Sequence, residues 1–155
     1  MTKIKALIGT CVAAGALVAS GAPTAAAAPP EPFTITETVD FSEGGVNTFT
    51  ASGALCPLGT FEDTVETVAG HPDTTGKFNL LIRTVYTCDD GSGSFYAQKH
   101  VFITITGEDS STNTGPITFQ SGTGDYASLS GHGVDVGTAS GDEGVGEISG
   151  VLTLG

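Results

Sequence analysis

The 155-residue chain is acidic, with 17 aspartates and glutamates against five lysines and arginines and a formal net charge of −12. Hydrophobic residues make up 39% of it, and its length corresponds to one domain with a single core. This charge argues against nucleic acids and anionic membrane surfaces as partners, because both repel an acidic protein. We attribute the excess of carboxylates to solubility outside the cell, with cation binding as the alternative.

The first 28 residues have the pattern of a secretory signal peptide. Lys3 and Lys5 form a basic start, residues 6–22 are apolar, and small residues at 24–28 offer a cleavage site. We therefore predict a helical leader, export by the general secretory route, and a mature extracellular domain over residues 29–155. No stable membrane insertion is expected after cleavage.

Two alternatives for this segment are a membrane anchor and a lipoprotein. An apolar run of about 17 residues is marginal for a membrane span, and no basic stop-transfer cluster follows it. Cys11 could be an acylation site, but too little apolar sequence precedes it. The chain has no twin-arginine pair, which leaves general secretion as the simplest route.

Cleavage of the leader removes Cys11 and leaves Cys56 and Cys88. An even number of cysteines in an exported chain favours a disulfide between them. Such a bond would stabilise the fold by about 3–4 kcal/mol in the chain-entropy description. Neither cysteine belongs to a CxxC pair or lies near a histidine, which argues against redox or zinc chemistry.

After Pro32 the chain shows no helical periodicity, and β-branched and aromatic residues alternate in short runs between turn residues. The predicted strands are 33–41, 46–55, 61–69, 77–88, 94–106, 115–120, 130–137 and 145–154. Short links between them predict an all-β domain, a single eight-stranded antiparallel up-and-down barrel. We favour it over a sandwich because closure removes exposed edges. In this barrel both cysteines lie at the same rim.

The loop Asp89-Asp90-Gly91-Ser92-Gly93 is the best candidate for a cation site. Its adjacent carboxylates lack the alternating spacing of a calcium loop, and Asp-Gly between strands is typical of a hairpin turn. The three histidines, His71, His100 and His132, show no paired spacing. We therefore predict no metal and no cofactor.

Four polar residues share the apolar phase of their strands and are predicted to face the lumen: Glu37, Asp63, Lys99 and His132. A buried charge needs a partner or a pocket open to water, so all four are catalytic candidates. Glu37, Lys99 and His132 are also candidates for ligand binding. The alternative is that the apolar phase faces outward and these side chains are solvated. Arg83 has the opposite phase and is predicted to be an outer residue.

Residues 117–133, Ile-Thr-Phe-Gln-Ser-Gly-Thr-Gly-Asp-Tyr-Ala-Ser-Leu-Ser-Gly-His-Gly, resemble a motif of the dirigent and allene oxide cyclase barrel superfamily. That motif runs Gly-Gly-Thr-Gly, aromatic residue, small residue, Gly. The resemblance assigns Gly122, Thr123 and Gly124 to a turn and Gly131 to the start of the next strand. It assigns Tyr126 and Leu129 as plug residues that pack on the barrel. Ser121 stands where the family usually has a second glycine.

The resemblance implies a dirigent-like or calycin-like barrel whose interior holds a small, mostly apolar molecule. Members of the superfamily include plant proteins that steer radical coupling, plant cyclases acting on an unsaturated fatty-acid epoxide, and bacterial proteins of unknown role. Their catalytic residues do not align with positions in this chain.

Three functions remain open. The first is a secreted binding module for a small hydrophobic ligand. The second is an isomerase or cyclase-like enzyme that holds a reactive substrate in one conformation. The third is a structural protein of the cell envelope without a ligand. The chain contains no nucleophile elbow, no His-Glu-x-x-His and no phosphate loop, and it specifies neither the ligand nor an oligomeric state.

Overall fold

The computed structural model describes residues 28–155 and shows one sheet of eight antiparallel strands that closes into a barrel. Consecutive strands pair, and the last strand returns to the first. The strands are β1 (Glu31–Asp40), β2 (Thr48–Ser52), β3 (Leu58–His71), β4 (Lys77–Cys88), β5 (Ser94–Gly107), β6 (Ser110–Gln120), β7 (Ser130–Ser140) and β8 (Glu143–Thr153). The predicted up-and-down order of eight strands is confirmed.

Two short helical segments connect strands: α1 (Pro72–Thr75) between β3 and β4, and a 3-10 turn (Gly124–Tyr126) between β6 and β7. Within residues 28–155 no helix is long and apolar enough to cross a membrane. The predicted leader, including Cys11, lies outside the described residues except for Ala28.

Strand bounds follow the sequence closely where β-branched and aromatic residues alternate. β4 has the predicted bounds, whereas β6 begins five residues before its predicted start at residue 115. The added segment, Ser110–Thr114, is polar, but β5 and β7 flank it and supply hydrogen-bond partners on both sides. β2 is shorter than predicted because the chain turns away at Gly53, which has a positive φ of 88°.

The barrel has one filled half, which we call the closed half. Six aromatic side chains from the strands fill its centre, and each of the six is at most 3% exposed: Phe33, Phe49, Phe61, Tyr86, Phe95 and Phe119. Tyr86 and Phe95 stack with ring centroids 4.7 Å apart, and Phe33 meets Phe119 edge-on at 5.0 Å. These rings leave the closed half without room for a ligand.

The connection between β6 and β7 caps the closed half. Tyr126 and Leu129 are buried in the aromatic core, as plug residues would be. A Cβ at Gly122 would collide with the Ser94 carbonyl oxygen, and Gly124 has a φ of +58°. This connection therefore makes a tight turn and covers the closed end of the barrel with two buried side chains.

The predicted disulfide is also present at this end. Cys56 lies in the connection between β2 and β3, and Cys88 ends β4. Their Cα atoms are 5.9 Å apart, within the normal range for a disulfide. The bond fixes the connection that crosses the rim beside β3, as expected from the alternating strand directions.

Candidate binding site in the open half of the barrel

A layer of polar side chains crosses the middle of the lumen. Glu37 on β1, Thr84 on β4, Lys99 on β5 and Asp135 on β7 are each at most 4% exposed. Each occupies an inward position of its strand, between apolar or glycine neighbours in the same phase. Four strands therefore bring polar groups to one level of the barrel.

Glu37 and Lys99 form a fully buried ion pair. Lys99 Nζ donates hydrogen bonds to both carboxylate oxygens of Glu37, at 2.6 and 2.7 Å, and the Tyr86 hydroxyl donates to Glu37 Oε1 at 2.5 Å. Lys99 Nζ also lies 5.3 Å from the centroid of the Phe61 ring, a cation–π distance. Both charges therefore have partners inside the barrel.

Burial and charge set the protonation of this network. Burial disfavours the Lys99 ammonium, but Glu37, Asp63 and Asp135 attract it and raise its pKa above the ordinary value. Burial, together with the negative charge of Glu37, raises the pKa of Tyr86 well above its usual value. At neutral pH Lys99 is a cation and Tyr86 a neutral hydrogen-bond donor.

Asp63 extends the layer on β3. Its Oδ1 accepts a hydrogen bond of 2.6 Å from the hydroxyl of Thr84, which lies opposite it on β4. Asp63 itself is exposed, so it connects the buried layer to solvent.

Asp135 differs from the other carboxylates because its Oδ1 is buried and has no hydrogen-bond partner. Burial raises the pKa of Asp135 to about 6, with Lys99 and a hydrogen bond from Asn113 acting in the opposite direction. A Cβ at Gly146 would lie 3.4 Å from both Asp135 Oδ1 and Glu37 Oε2, so the two carboxylates flank the same bare stretch of β8. An unpaired buried carboxylate oxygen is costly and is typical of functional sites.

Beyond the polar layer lies the open half of the barrel, which contains a cavity of about 180 Å³. Glu37, Asp63, Lys99 and Asp135 are on one side of it. The remaining lining is largely apolar and includes Val39, Leu80, Ile82, Val101 and Ile103. Phe41 and Val145, both more than half exposed, also line it and place its mouth at the surface. The arrangement is an apolar pocket with a charged floor.

Three of the four predicted polar residues reach this site. Glu37, Asp63 and Lys99 line the cavity, and their lumen-facing orientation agrees with the sequence analysis. Their catalytic or ligand-binding roles stay predictions. Arg83 is exposed, as predicted, with its guanidinium 5.9 Å from the centroid of the Tyr96 ring on the outer face.

The prediction that His132 faces the lumen is wrong. His132 is exposed on the outer face of β7, as are Val134 and Val136, which are 51% and 54% exposed. The inward phase of β7 contains Asp135 between glycines, and the two valines are outside. The lumen is narrow here, because a Cβ at Gly137 would lie 2.5 Å from Asn113 Oδ1. Glycines make room for the side chains of neighbouring strands.

Asp135 is the functional candidate that the sequence analysis missed. The valines beside it predict the opposite phase for β7, because apolar residues usually face the interior. The sequence does contain a signal that Asp135 faces inward, since Gly131, Gly133 and Gly137 share its phase. Regularly spaced glycines in a barrel strand mark positions where another backbone or side chain approaches closely.

Within residues 28–155, no group of three or more His, Cys, Asp or Glu side chains is arranged to hold a metal ion. In the loop between β4 and β5, Asp90 Oδ1 accepts a hydrogen bond of 2.9 Å from the backbone N–H of Ser92. Hydrogen bonding from the side chain and the backbone N–H of Ser92 lowers the pKa of Asp90 and belongs to the hairpin turn that the sequence predicts.

The chain matches no protein-family model, and no curated protein or solved structure is significantly similar to it.

Proposed function

We propose that this protein is a secreted β-barrel that binds a small, mostly apolar molecule in the open half of its lumen. The observation that carries the proposal is the apolar cavity above the buried polar layer. Pockets of this composition, with few polar groups that fix orientation, are typical of small-molecule sites. A lumen packed along its whole length would have favoured a purely structural role.

The size of the cavity limits the ligand. At about 180 Å³ it is slightly larger than an engineered cavity of about 150 Å³ that holds benzene. A single ring with a short substituent fits inside, and a longer molecule would extend through the mouth past Phe41 and Val145. The ligand class is therefore small and compact, or has one compact end.

Two features support export and the proposed family. A disulfide in a small domain fits an oxidising compartment and agrees with the leader-like sequence at the N-terminus. The turn at Gly122 and Gly124, with the plug residues Tyr126 and Leu129, has the arrangement expected of a dirigent or allene oxide cyclase-like barrel. Fold likeness supports a lumen ligand and does not specify the chemistry.

A pair of substitutions on β7 tests the binding proposal. Ala139→Leu adds volume to the cavity wall, whereas Val136→Leu enlarges an exposed outer side chain of the same strand. We expect toluene and 2-phenylethanol to shift NMR resonances of cavity residues in the wild type and Val136→Leu, and to shift none in folded Ala139→Leu. Equal shifts in both variants would place binding elsewhere. Native mass spectrometry of protein recovered from its own culture medium would identify the natural ligand.

A second candidate is an isomerase or cyclase-like enzyme. Asp135 favours it, because a buried carboxyl with a pKa of about 6 exchanges protons near neutral pH. Glu37 and Lys99 are weaker acid–base candidates because each is hydrogen-bonded to the other. If a recovered ligand is turned over, Asp135→Asn should abolish conversion while binding persists.

A further inference from the structure

We propose that the cavity selects a molecule with one positively charged nitrogen on an apolar body, and that its ammonium group binds the Asp135 carboxylate. The inference rests on the proposed function and narrows its ligand class to small amines. It follows from the charge around the cavity, from the unpaired oxygen of Asp135, and from the way Lys99 is engaged.

The cavity has more negative than positive charge. Three carboxylates, Glu37, Asp63 and Asp135, line it together with one cation, Lys99. One carboxylate neutralises the ammonium, and the other two leave an excess of negative charge at the floor. A cationic ligand would be attracted, and a carboxylate or phosphate would be repelled.

Lys99 is not available to recognise an anion. Its ammonium donates hydrogen bonds to both oxygens of Glu37, and the residue as a whole is 2% exposed. An anionic ligand would have to compete with Glu37 for these hydrogen bonds inside the barrel. The floor therefore presents acceptors to a ligand, and its strongest donor is already occupied.

One oxygen of the Asp135 carboxylate, Oδ1, is an acceptor without a donor. The Asp135 side chain lines the cavity, is 3% exposed, and has an oxygen that lacks any hydrogen-bond partner. Gly146 on β8 has no side chain to cover Oδ1 of Asp135, since a Cβ there would lie 3.4 Å from that oxygen. The terminal torsion of Asp is soft, so a small rotation can turn the unpaired oxygen toward a ligand donor. An ammonium would satisfy both its hydrogen bond and its charge.

Three probes of nearly equal size test the inference: 2-phenylethylamine, 2-phenylethanol and phenylacetate. Each carries a ring that the cavity accommodates and differs in the charge of its polar end. We expect the amine to bind about tenfold to a hundredfold more tightly than the alcohol in calorimetric or NMR titrations at pH 7.5, the range of a charge-assisted hydrogen bond. Phenylacetate should bind most weakly.

Two variants locate the effect. Asp135→Asn should remove most of the advantage of the amine over the alcohol and leave binding of the alcohol within about threefold of the wild type, an effect smaller than one charge-assisted hydrogen bond. Glu147→Gln, which removes an exposed carboxylate from β8, is the matched control for net charge. It should change the affinity for neither the amine nor the alcohol. An equal loss of amine binding in both variants would show nonspecific attraction to an acidic surface and overturn the inference.

A pH titration of the wild type gives a test that does not depend on folding of a variant. The titratable groups that face Asp135 are Glu37 from β1, Asp63 from β3, Tyr86 from β4 and Lys99 from β5. Only the ionised form of Asp135 binds the ammonium group of the ligand. Affinity for the amine should fall as the pH is lowered through about 6, whereas affinity for the alcohol should change little. A flat amine profile would contradict the role of Asp135.

The possible results separate the two proposals. Equal binding of amine and alcohol in the cavity would overturn the preference for a cation and leave the proposed function intact. Tighter binding of phenylacetate would also overturn the preference. Failure of all three probes to perturb cavity residues would contradict the proposed function itself.

Discussion

The two halves of the barrel are built by the same strands and differ in side-chain volume. β5 contributes Phe95 to the closed half and Val101 and Ile103 to the open half. β1 likewise contributes Phe33 at one end and Val39 at the other. In a barrel of eight strands the interior is just wide enough for side chains to fill it. Aromatic rings therefore close one half, and smaller residues leave the other open.

The ion pair of Glu37 and Lys99 marks the boundary between the halves. Its desolvation opposes its mutual attraction, so a buried pair is not by itself evidence of added stability. The pair has another effect, since it gives the cavity of the open half a polar floor. The aromatic side chains of the closed half alone would not provide one. The comparison predicts that the closed half determines stability and the open half determines binding.

Lys99→Met should have one of the two largest effects on stability. It leaves Glu37 buried with Tyr86 as its remaining partner, and loss of one member of a buried pair costs about 3–5 kcal/mol of unfolding free energy. The double variant Glu37→Gln with Lys99→Met removes both charges and should regain much of that loss. Denaturant unfolding at pH 7 measures both variants. A single variant as stable as the wild type would contradict a desolvated pair.

A matched pair on β5 compares the two halves directly. Phe95→Ala opens a hole in the aromatic core and should cost about 3–5 kcal/mol of unfolding free energy. Ile103→Ala removes a half-buried side chain that already borders a cavity, so we expect a loss of about 1 kcal/mol. Chemical denaturation of both variants checks the ranking. Equal losses would show that the open half is packed as tightly as the closed half in solution.

Much of this fold was predictable because local and long-range signals agree. The run from Lys77 to Cys88 alternates β-branched, aromatic and polar residues, and its bounds as β4 were predicted correctly. The disulfide followed from the even number of cysteines and the alternating strand directions. Glu37 and Lys99 were assigned to the lumen because their phases contain large apolar residues, which must be buried in a small domain.

The rest was not predictable from hydrophobic phase alone. In β7 and the first half of β8 the inward positions include several glycines, so the usual relation between apolar residues and the interior is reversed. The pairing of Lys99 with Glu37 joins residues 62 positions apart and depends on barrel closure. The unpaired oxygen of Asp135 likewise depends on which neighbours surround it. Both features depend on contacts between residues that are far apart in the sequence.

Asp135→Asn separates ligand binding from stability, because it should weaken amine binding and stabilise the fold. The pKa of Asp135 is raised to about 6 by burial, so the folded protein holds this proton more tightly than the unfolded chain does. The contribution of Asp135 to wild-type stability should fall as the pH rises from about 4 to about 6, and asparagine removes that contribution. The variant should gain about 1–3 kcal/mol over the wild type at pH 7 and little at pH 4. Unfolding curves at both pH values measure it, and a larger gain at pH 4 would contradict the assigned burial of the carboxylate.

His132→Ala should have the smallest effect, because the imidazole lies on the outer face of β7 and not in either half of the lumen. We expect the unfolding free energy to change by less than about 0.5 kcal/mol, as for most surface substitutions. Affinity for 2-phenylethylamine should stay at the wild-type value, in contrast to its loss in Asp135→Asn three positions along the same strand. A marked loss of amine affinity in His132→Ala would mean that β7 presents its opposite face to the ligand. The division between an outer valine face and an inner carboxylate face would then be wrong.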